Sequence, residues 1–176
     1  ICAGESVVFT GSGAQSYTWN NSVVDNTAIN PSSSANFTVV GTDANGCENT
    51  SSVNLTVNAL PIVLANVTNN EICIGESVVF TGSGAQSYTW DNSVVDNTAI
   101  NPSSSANFTV VGIDANGCEN TSSVNLTVNA LPIVLANVTD NVICAGESVV
   151  FSGSGAQSYT WDNSVVDNTA INPSSS

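Results

Sequence analysis

Lysine, arginine, histidine and methionine are all missing from these 176 residues, and fourteen acidic residues leave a formal net charge of −14. Each absence removes a class of function. Nucleic-acid binding draws on cations that displace counterions from phosphates, and this chain has none. The same gap removes electrostatic attraction to anionic lipid headgroups. A serine or cysteine nucleophile would find no His or Lys base beside it. Paired carboxylates remain, but Glu5, Asp25, Asp43 and Glu48 recur along the chain, a pattern that suits structure better than a single glycosidase-like cleft. Long apolar runs are missing too. The segment Ala59–Ala65 is the longest candidate, far short of the about 18 residues a membrane helix needs. The composition describes a chain that is not an enzyme, takes no cofactor and does not enter a membrane in this segment.

What is present is repetition. The run Ile1-Cys2-Ala3-Gly4-Glu5 returns at Ile72-Cys73-Ile74-Gly75-Glu76 and again at Ile143-Cys144-Ala145-Gly146-Glu147. The period is 71 residues at both steps, and the first two copies differ only at Ala3/Ile74, Asn20/Asp91, Thr42/Ile113, Asn69/Asp140 and Glu71/Val142. A fixed period of this kind marks one folding unit placed in a row. An apolar fraction of 41% separates the chain from disordered acidic tails. Charged residues make up only 8%, so solubility rests on Asn, Ser and Thr.

The 3.6-residue period of a helix is missing, whereas short alternating runs broken by turns are frequent. Val7 and Phe9 precede Gly11-Ser12-Gly13, and Tyr17-Thr18-Trp19 alternates aromatic with polar. Ala35–Val39 leads towards Asp43-Ala44-Asn45-Gly46, a hairpin turn, and Ser51–Asn58 places Val53, Leu55 and Val57 on one face. Pro61–Val67 begins at a proline, which predicts an edge strand. About seven short strands per period predict a small antiparallel β-sandwich with Phe9, Trp19 and Phe37 in a thin core. With Pro61–Val67 as first strand, the units are 1–59 (first strand missing), 60–130 (complete) and 131–176 (last strands missing). The outer face of that strand, Ile62 and Leu64, is apolar. Cover by a neighbouring unit or a lateral contact between chains would each account for it.

Cysteines stand at 2, 47, 73, 118 and 144, two per period and 45 residues apart. Two thiols and no His per unit are too few for zinc. They read as one internal disulfide per unit, in preference to reduced thiols packed as small hydrophobes. The expected pairs are Cys2–Cys47 and Cys73–Cys118, with the partner of Cys144 beyond the chain. Because Cys2 precedes its strand and Cys47 follows a turn, the bridge is expected to clasp one end of a sandwich. Disulfides place the chain in an oxidising, extracellular setting.

Two further features concern ligands and modification. Asp43, Asn45 and Glu48 gather oxygen donors around a tight turn and are candidate Ca²⁺ ligands. The preferred reading is a turn capped by Asp43 with Gly46 at positive φ, since calcium sites use more carboxylates. Asn20, Asn36, Asn49, Asn54 and Asn66 each open an Asn-x-Ser/Thr sequon, four of which recur at Asn107, Asn120, Asn125 and Asn137. Strand alternation turns Asn36 and Asn54 outward, and these with Asn66, Asn107, Asn125 and Asn137 are the candidate glycan carriers.

The series Ile1–Phe9, Gly13–Trp19 and Phe37–Cys47, recurring one period on, resembles the Ig-like/PKD-like tandem repeats of giant cell-surface proteins in Bacteroidota. The resemblance covers essentially the whole chain, which departs from the pattern in lacking Lys and Arg. It implies an array of small Ig-like sandwiches, secretion commonly by the type IX route, and a place in adhesins, gliding-associated filaments or stalks. The expected partners are neighbouring repeats or other copies of the chain. The alternative is a multivalent module for surface glycans, in which repetition supplies avidity. Such a module would display Trp or Tyr faces, so covered Tyr17 and Trp19 would count against it.

Overall fold

Few strong helix formers and many β-branched residues favour extended backbone throughout. The structure, a computed structural model, describes residues 1–173 and has no helix among them. The chain divides into two compact units, Ile1–Val128 and Asn129–Ser176.

The first unit holds two repeats. In the first repeat the strands are β1 (Val7–Val8), β2 (Ser16–Trp19), β3 (Ala28–Ile29), β4 (Ala35–Thr42) and β5 (Glu48–Leu55). In the second they are β6 (Leu64–Val67), β7 (Glu71–Cys73), β8 (Val78–Ser83), β9 (Ser87–Trp90), β10 (Ala99–Ile100), β11 (Ala106–Ile113) and β12 (Glu119–Asn129).

The second repeat forms two sheets, ordered β10-β8-β6 and β7-β12-β11-β9. As the proline predicted, β6 lies at a sheet edge, although its pairing begins at Leu64 and not at Pro61. Both sheets turn alternate side chains into one core built on Val63, Phe80, Trp90, Phe108, Val110 and Leu126. The Phe80 ring lies 4.3 Å from that of Phe108 and 5.4 Å from that of Trp90.

The first repeat keeps the three-stranded sheet β2-β4-β5 but pairs β1 with β3 alone. Its buried core is thinner: Phe9, Val23 and Phe37. A direct comparison shows why. The sequence Val-Val-Phe-Thr-Gly-Ser occurs at 7–12 and at 78–83, yet β1 has two residues and β8 has six. In β8 the last four residues pair with β6, Phe80 opposite Val67 and Ser83 opposite Leu64. Strand length here is set by the neighbour, not by local sequence.

The second unit contains β13 (Leu135–Val138), β14 (Val149–Ser154) and β15 (Ala170–Ile171) in one antiparallel sheet. Here the counterpart of β8 again has six residues, because β13 pairs beside it. Val149 is the only buried hydrophobic residue among the described ones of this unit, and every residue of β13 is exposed.

Candidate functional site

The passage from one repeat to the next in the first unit is held by backbone bonds, side-chain bonds and a disulfide. Ala3 donates its amide to the Asn58 carbonyl and Asn58 donates to the Ile1 carbonyl, both at 2.9 Å. The Oε2 of Glu5 accepts the Cys2 amide at 2.7 Å, so this acid fixes the cysteine's turn. Glu76 and Glu147 do the same for Cys73 and Cys144. Beyond Asn58 the chain enters the second repeat, where Asn120 donates its Nδ2 to the Pro61 carbonyl at 2.9 Å. The Ala65 amide donates to the Ser122 hydroxyl at 3.2 Å. Pro61 and Val63 are buried.

A disulfide closes this passage. It joins Cys2 of the first repeat to Cys118 of the second, with a Cα–Cα distance of 5.5 Å. The expected pairs Cys2–Cys47 and Cys73–Cys118 do not form; Cys47, Cys73 and Cys144 are exposed free thiols. Strand geometry explains the correction. Cys2 lies beside Asn58, beyond the far end of β5, while Cys47 stands just before the start of β5 at Glu48. About ten extended residues separate those ends by roughly 30 Å, whereas a disulfide tolerates a Cα separation of about 7 Å at most. Within the second repeat, β7 flanks β12 near Thr127, whose amide bonds the Asn70 carbonyl, and Cys118 precedes the start of β12. Each of the first two repeats thus carries one cysteine at each end. The signal was legible in principle: the strand predicted over Ser51–Asn58 already put the two cysteines at opposite ends.

A second feature belongs to the first repeat alone. A cleft of about 350 Å³ opens on the first repeat, lined among others by Ser12, Gly13, Tyr17, Gly41, Asn49 and Ser51. Their counterparts in the second repeat are Ser83, Gly84, Tyr88, Gly112, Asn120 and Ser122, the residues that receive Pro61–Ala65. A Cβ on Gly112 would meet Val63 Cγ2 at 2.6 Å, and one on Gly84 would overlap the Ile62 carbonyl. At Gly13 a Cβ would meet nothing within 4 Å. Val110 and Gly112 are buried, while Val39 and Gly41 are only half-buried. The cleft therefore has the shape of the seat that β6 and the residues before it occupy one repeat later.

The remaining acids serve the backbone. Asp43 accepts the amides of Asn45 at 2.8 Å and Cys47 at 2.9 Å, and Gly46 has φ +82°. The Cys47 amide, followed by that of Asn45, holds the Asp43 carboxyl below the ordinary carboxylate range. Asp114 is lowered in the same way, chiefly by the Cys118 amide. Among the described residues no group of three or more His, Cys, Asp or Glu side chains gathers to hold a metal. Glu48 has no part in the Asp43 bonds; its backbone pairs with Thr42 in the β4–β5 hairpin.

The six candidate glycan carriers Asn36, Asn54, Asn66, Asn107, Asn125 and Asn137 are all exposed. Asn120, another sequon, spends its amide on Pro61. Ile62 is 79% and Leu64 54% exposed, so nothing among the described residues covers the outer face of β6. No helix of the described residues is long and apolar enough to cross a membrane. No family model matches the chain, and no curated protein matches it.

Proposed function

We propose that this chain is a stretch of a tandem Ig-like array that forms the shaft of an extracellular filament, stalk or adhesin. The single observation that carries the reading is the Cys2–Cys118 disulfide, which crosses from one repeat into the next. A bond inside each domain would protect that domain. A bond across a junction ties successive domains together and resists bending and extension at the point where an array is otherwise weakest. An oxidising compartment is where such a bond persists. The exposed Asn-rich faces keep a chain without Lys, Arg or His hydrated and offer places for covalent glycans. Neighbouring repeats and other copies of the chain are its partners. The glycan-binding reading has less in its favour, because every Phe, Tyr and Trp is buried or half-buried.

Single-molecule stretching tests the load-bearing role. The bond removes the 116-residue separation between Cys2 and Cys118 from the extensible length, so reduction releases about 40 nm of additional contour. Equal extension in oxidised and reduced chains would overturn the reading.

A further inference from the structure

Nine Asn-x-Ser/Thr sequons occur in the chain, and the structure sorts them by what their carboxamides do. Sugar transfer requires a free carboxamide, because its nitrogen attacks the donor while the transferase grips its oxygen. Five sequons fail this requirement. Asn20 donates to the Asn36 carbonyl and accepts the Thr38 amide. Asn120 donates to the Pro61 carbonyl and accepts the Thr121 amide, and Asn49 accepts the Thr50 amide. Asn66 donates to the Thr81 carbonyl at 3.3 Å and Asn137 to the Ser154 hydroxyl at 3.5 Å. The other four, Asn36, Asn54, Asn107 and Asn125, are exposed, and their side chains make no hydrogen bond with another described residue.

These four form two pairs. Asn36 stands directly opposite Asn54 in the β4–β5 ladder, and Asn107 directly opposite Asn125 in the β11–β12 ladder. The next residue on β4 and β11 is a buried Phe, Phe37 or Phe108, so alternation turns the Asn side chains outward. Thr38, Thr109 and Thr127, which complete three of the sequons, lie two positions on and share that outward side. Thr56 completes the fourth and is exposed one residue past β5. The hydroxyls of these threonines are equally unbonded among the described residues.

We propose that the outer sheet face of each of the first two repeats takes one N-linked glycan, carried by either member of the pair Asn36/Asn54 or Asn107/Asn125 and never by both. The donor is a lipid-diphosphate-linked oligosaccharide. This deepens the array reading and rests on its extracellular placement for access to the donor, while the choice of sites rests on geometry alone.

Exclusion follows from spacing. Residues directly opposite in an antiparallel ladder hold their Cβ atoms about 5 Å apart. A sugar ring on one carboxamide lies over the other and closes it to the transferase. In the transfer, Asn Nδ2 attacks C1 of the first sugar. The N–C1 bond forms, the bond from C1 to the diphosphate oxygen breaks, and the lipid diphosphate leaves with the electron pair. The proton lost from Nδ2 passes to solvent, and no oxidant or reductant takes part. The neighbouring cross-strand rows, Thr38 with Ser52 and Thr109 with Ser123, carry no charge, so the glycan hydrates a surface that acids do not.

The test incubates the oxidised, folded chain with a purified oligosaccharyltransferase specific for Asn-x-Ser/Thr and a polyprenyl-diphosphate-linked oligosaccharide. Intact mass spectrometry counts glycans per molecule, and glycopeptide mapping places them. The expected folded product carries up to two glycans, one from each pair, whereas the reduced and denatured chain takes more. Asn36→Gln alters an exposed, unbonded side chain; it should shift occupancy to Asn54 and leave the total unchanged. Asn36→Gln with Asn54→Gln should lower the maximum to one. Three or more glycans on the folded chain, a glycan at Asn20, Asn49, Asn66, Asn120 or Asn137, or a folded chain that stays bare would each overturn the proposal. So would a denatured chain that also stops at two, because the limit would then not come from the ladder. A bare chain that still gains contour length on reduction removes this proposal and leaves the shaft reading. Glycans confined to the pairs without that gain remove the shaft reading and leave this one.

Discussion

Trp19 donates its indole N–H to the Oδ1 of Asp25 at 2.8 Å, and the same oxygen accepts the Gly11 amide at 2.7 Å. The arrangement recurs as Trp90–Asp96 and Trp161–Asp167. One carboxylate thus anchors an aromatic ring and a strand end in every repeat. Charge-assisted bonds of this kind are worth more than neutral ones, and removing the acceptor strands two donors. Asp96→Ala is expected to cost the second repeat about 3 kcal/mol, read from chemical denaturation followed by Trp fluorescence. A change within error would show that water replaces the carboxylate without loss.

Identical glycines should respond differently to the same substitution. At Gly112 an added Cβ meets Val63 Cγ2 at 2.6 Å and Ala85 Cβ at 2.9 Å, whereas at Gly41 the only comparably close atom is Ala14 Cβ at 2.9 Å. Gly112→Ala is therefore expected to destabilise by about 1–3 kcal/mol through overpacking, and Gly41→Ala by less. Thermal melts of the two variants make the comparison, and a larger loss at Gly41 would contradict the seat assigned to Val63.

Much of this architecture was legible from residues alone. The alternation of Val53, Leu55 and Val57 announced a strand, and Asp43 with Gly46 announced the turn ahead of it. In the second repeat that strand runs on through Val128, as the pattern predicted, while its first-repeat copy stops at Leu55. The difference cannot be read locally, because the two sequences are the same and only their neighbours differ. The cysteine pairing escaped for a related reason. Separation along the chain says which thiols belong to one repeat, but an extended strand between them carries them apart, and the nearest partner belongs to the next repeat.

Loss of the junction bond should be costly and symmetric. In the chain-entropy account a loop closed over 116 residues stabilises by about 5 kcal/mol. Cys2→Ser and Cys118→Ser are each expected to lower the stability of the first unit by up to that amount, and the double variant by no more than either. Guanidinium denaturation with and without reductant measures it. Additive losses would mean that the two sulfurs stabilise separately.

Acid should loosen the hairpin turns. Because the Cys118 amide, and after it that of Asn116, lowers the folded Asp114 value, the unfolded chain takes up its proton first as pH falls. The turn's contribution is complete above the unfolded value of about 3.9 and disappears as pH falls through the lower, folded one. Carboxyl NMR should place the Asp114 midpoint below that of an unfolded peptide, and Asp114→Asn should flatten this part of the acid profile. A midpoint at or above the peptide value would remove the assignment.

The bond from Cys2 to Cys118 also changes what a protease can accomplish. A single cut anywhere between those residues opens a ring and leaves the polypeptide in one piece, so both repeats stay tethered on either side of the nick. Severing the molecule there takes a second event, either another hydrolysis within the same ring or reduction of the disulfide. Damage that would part an ordinary string of domains is, over this stretch, survivable.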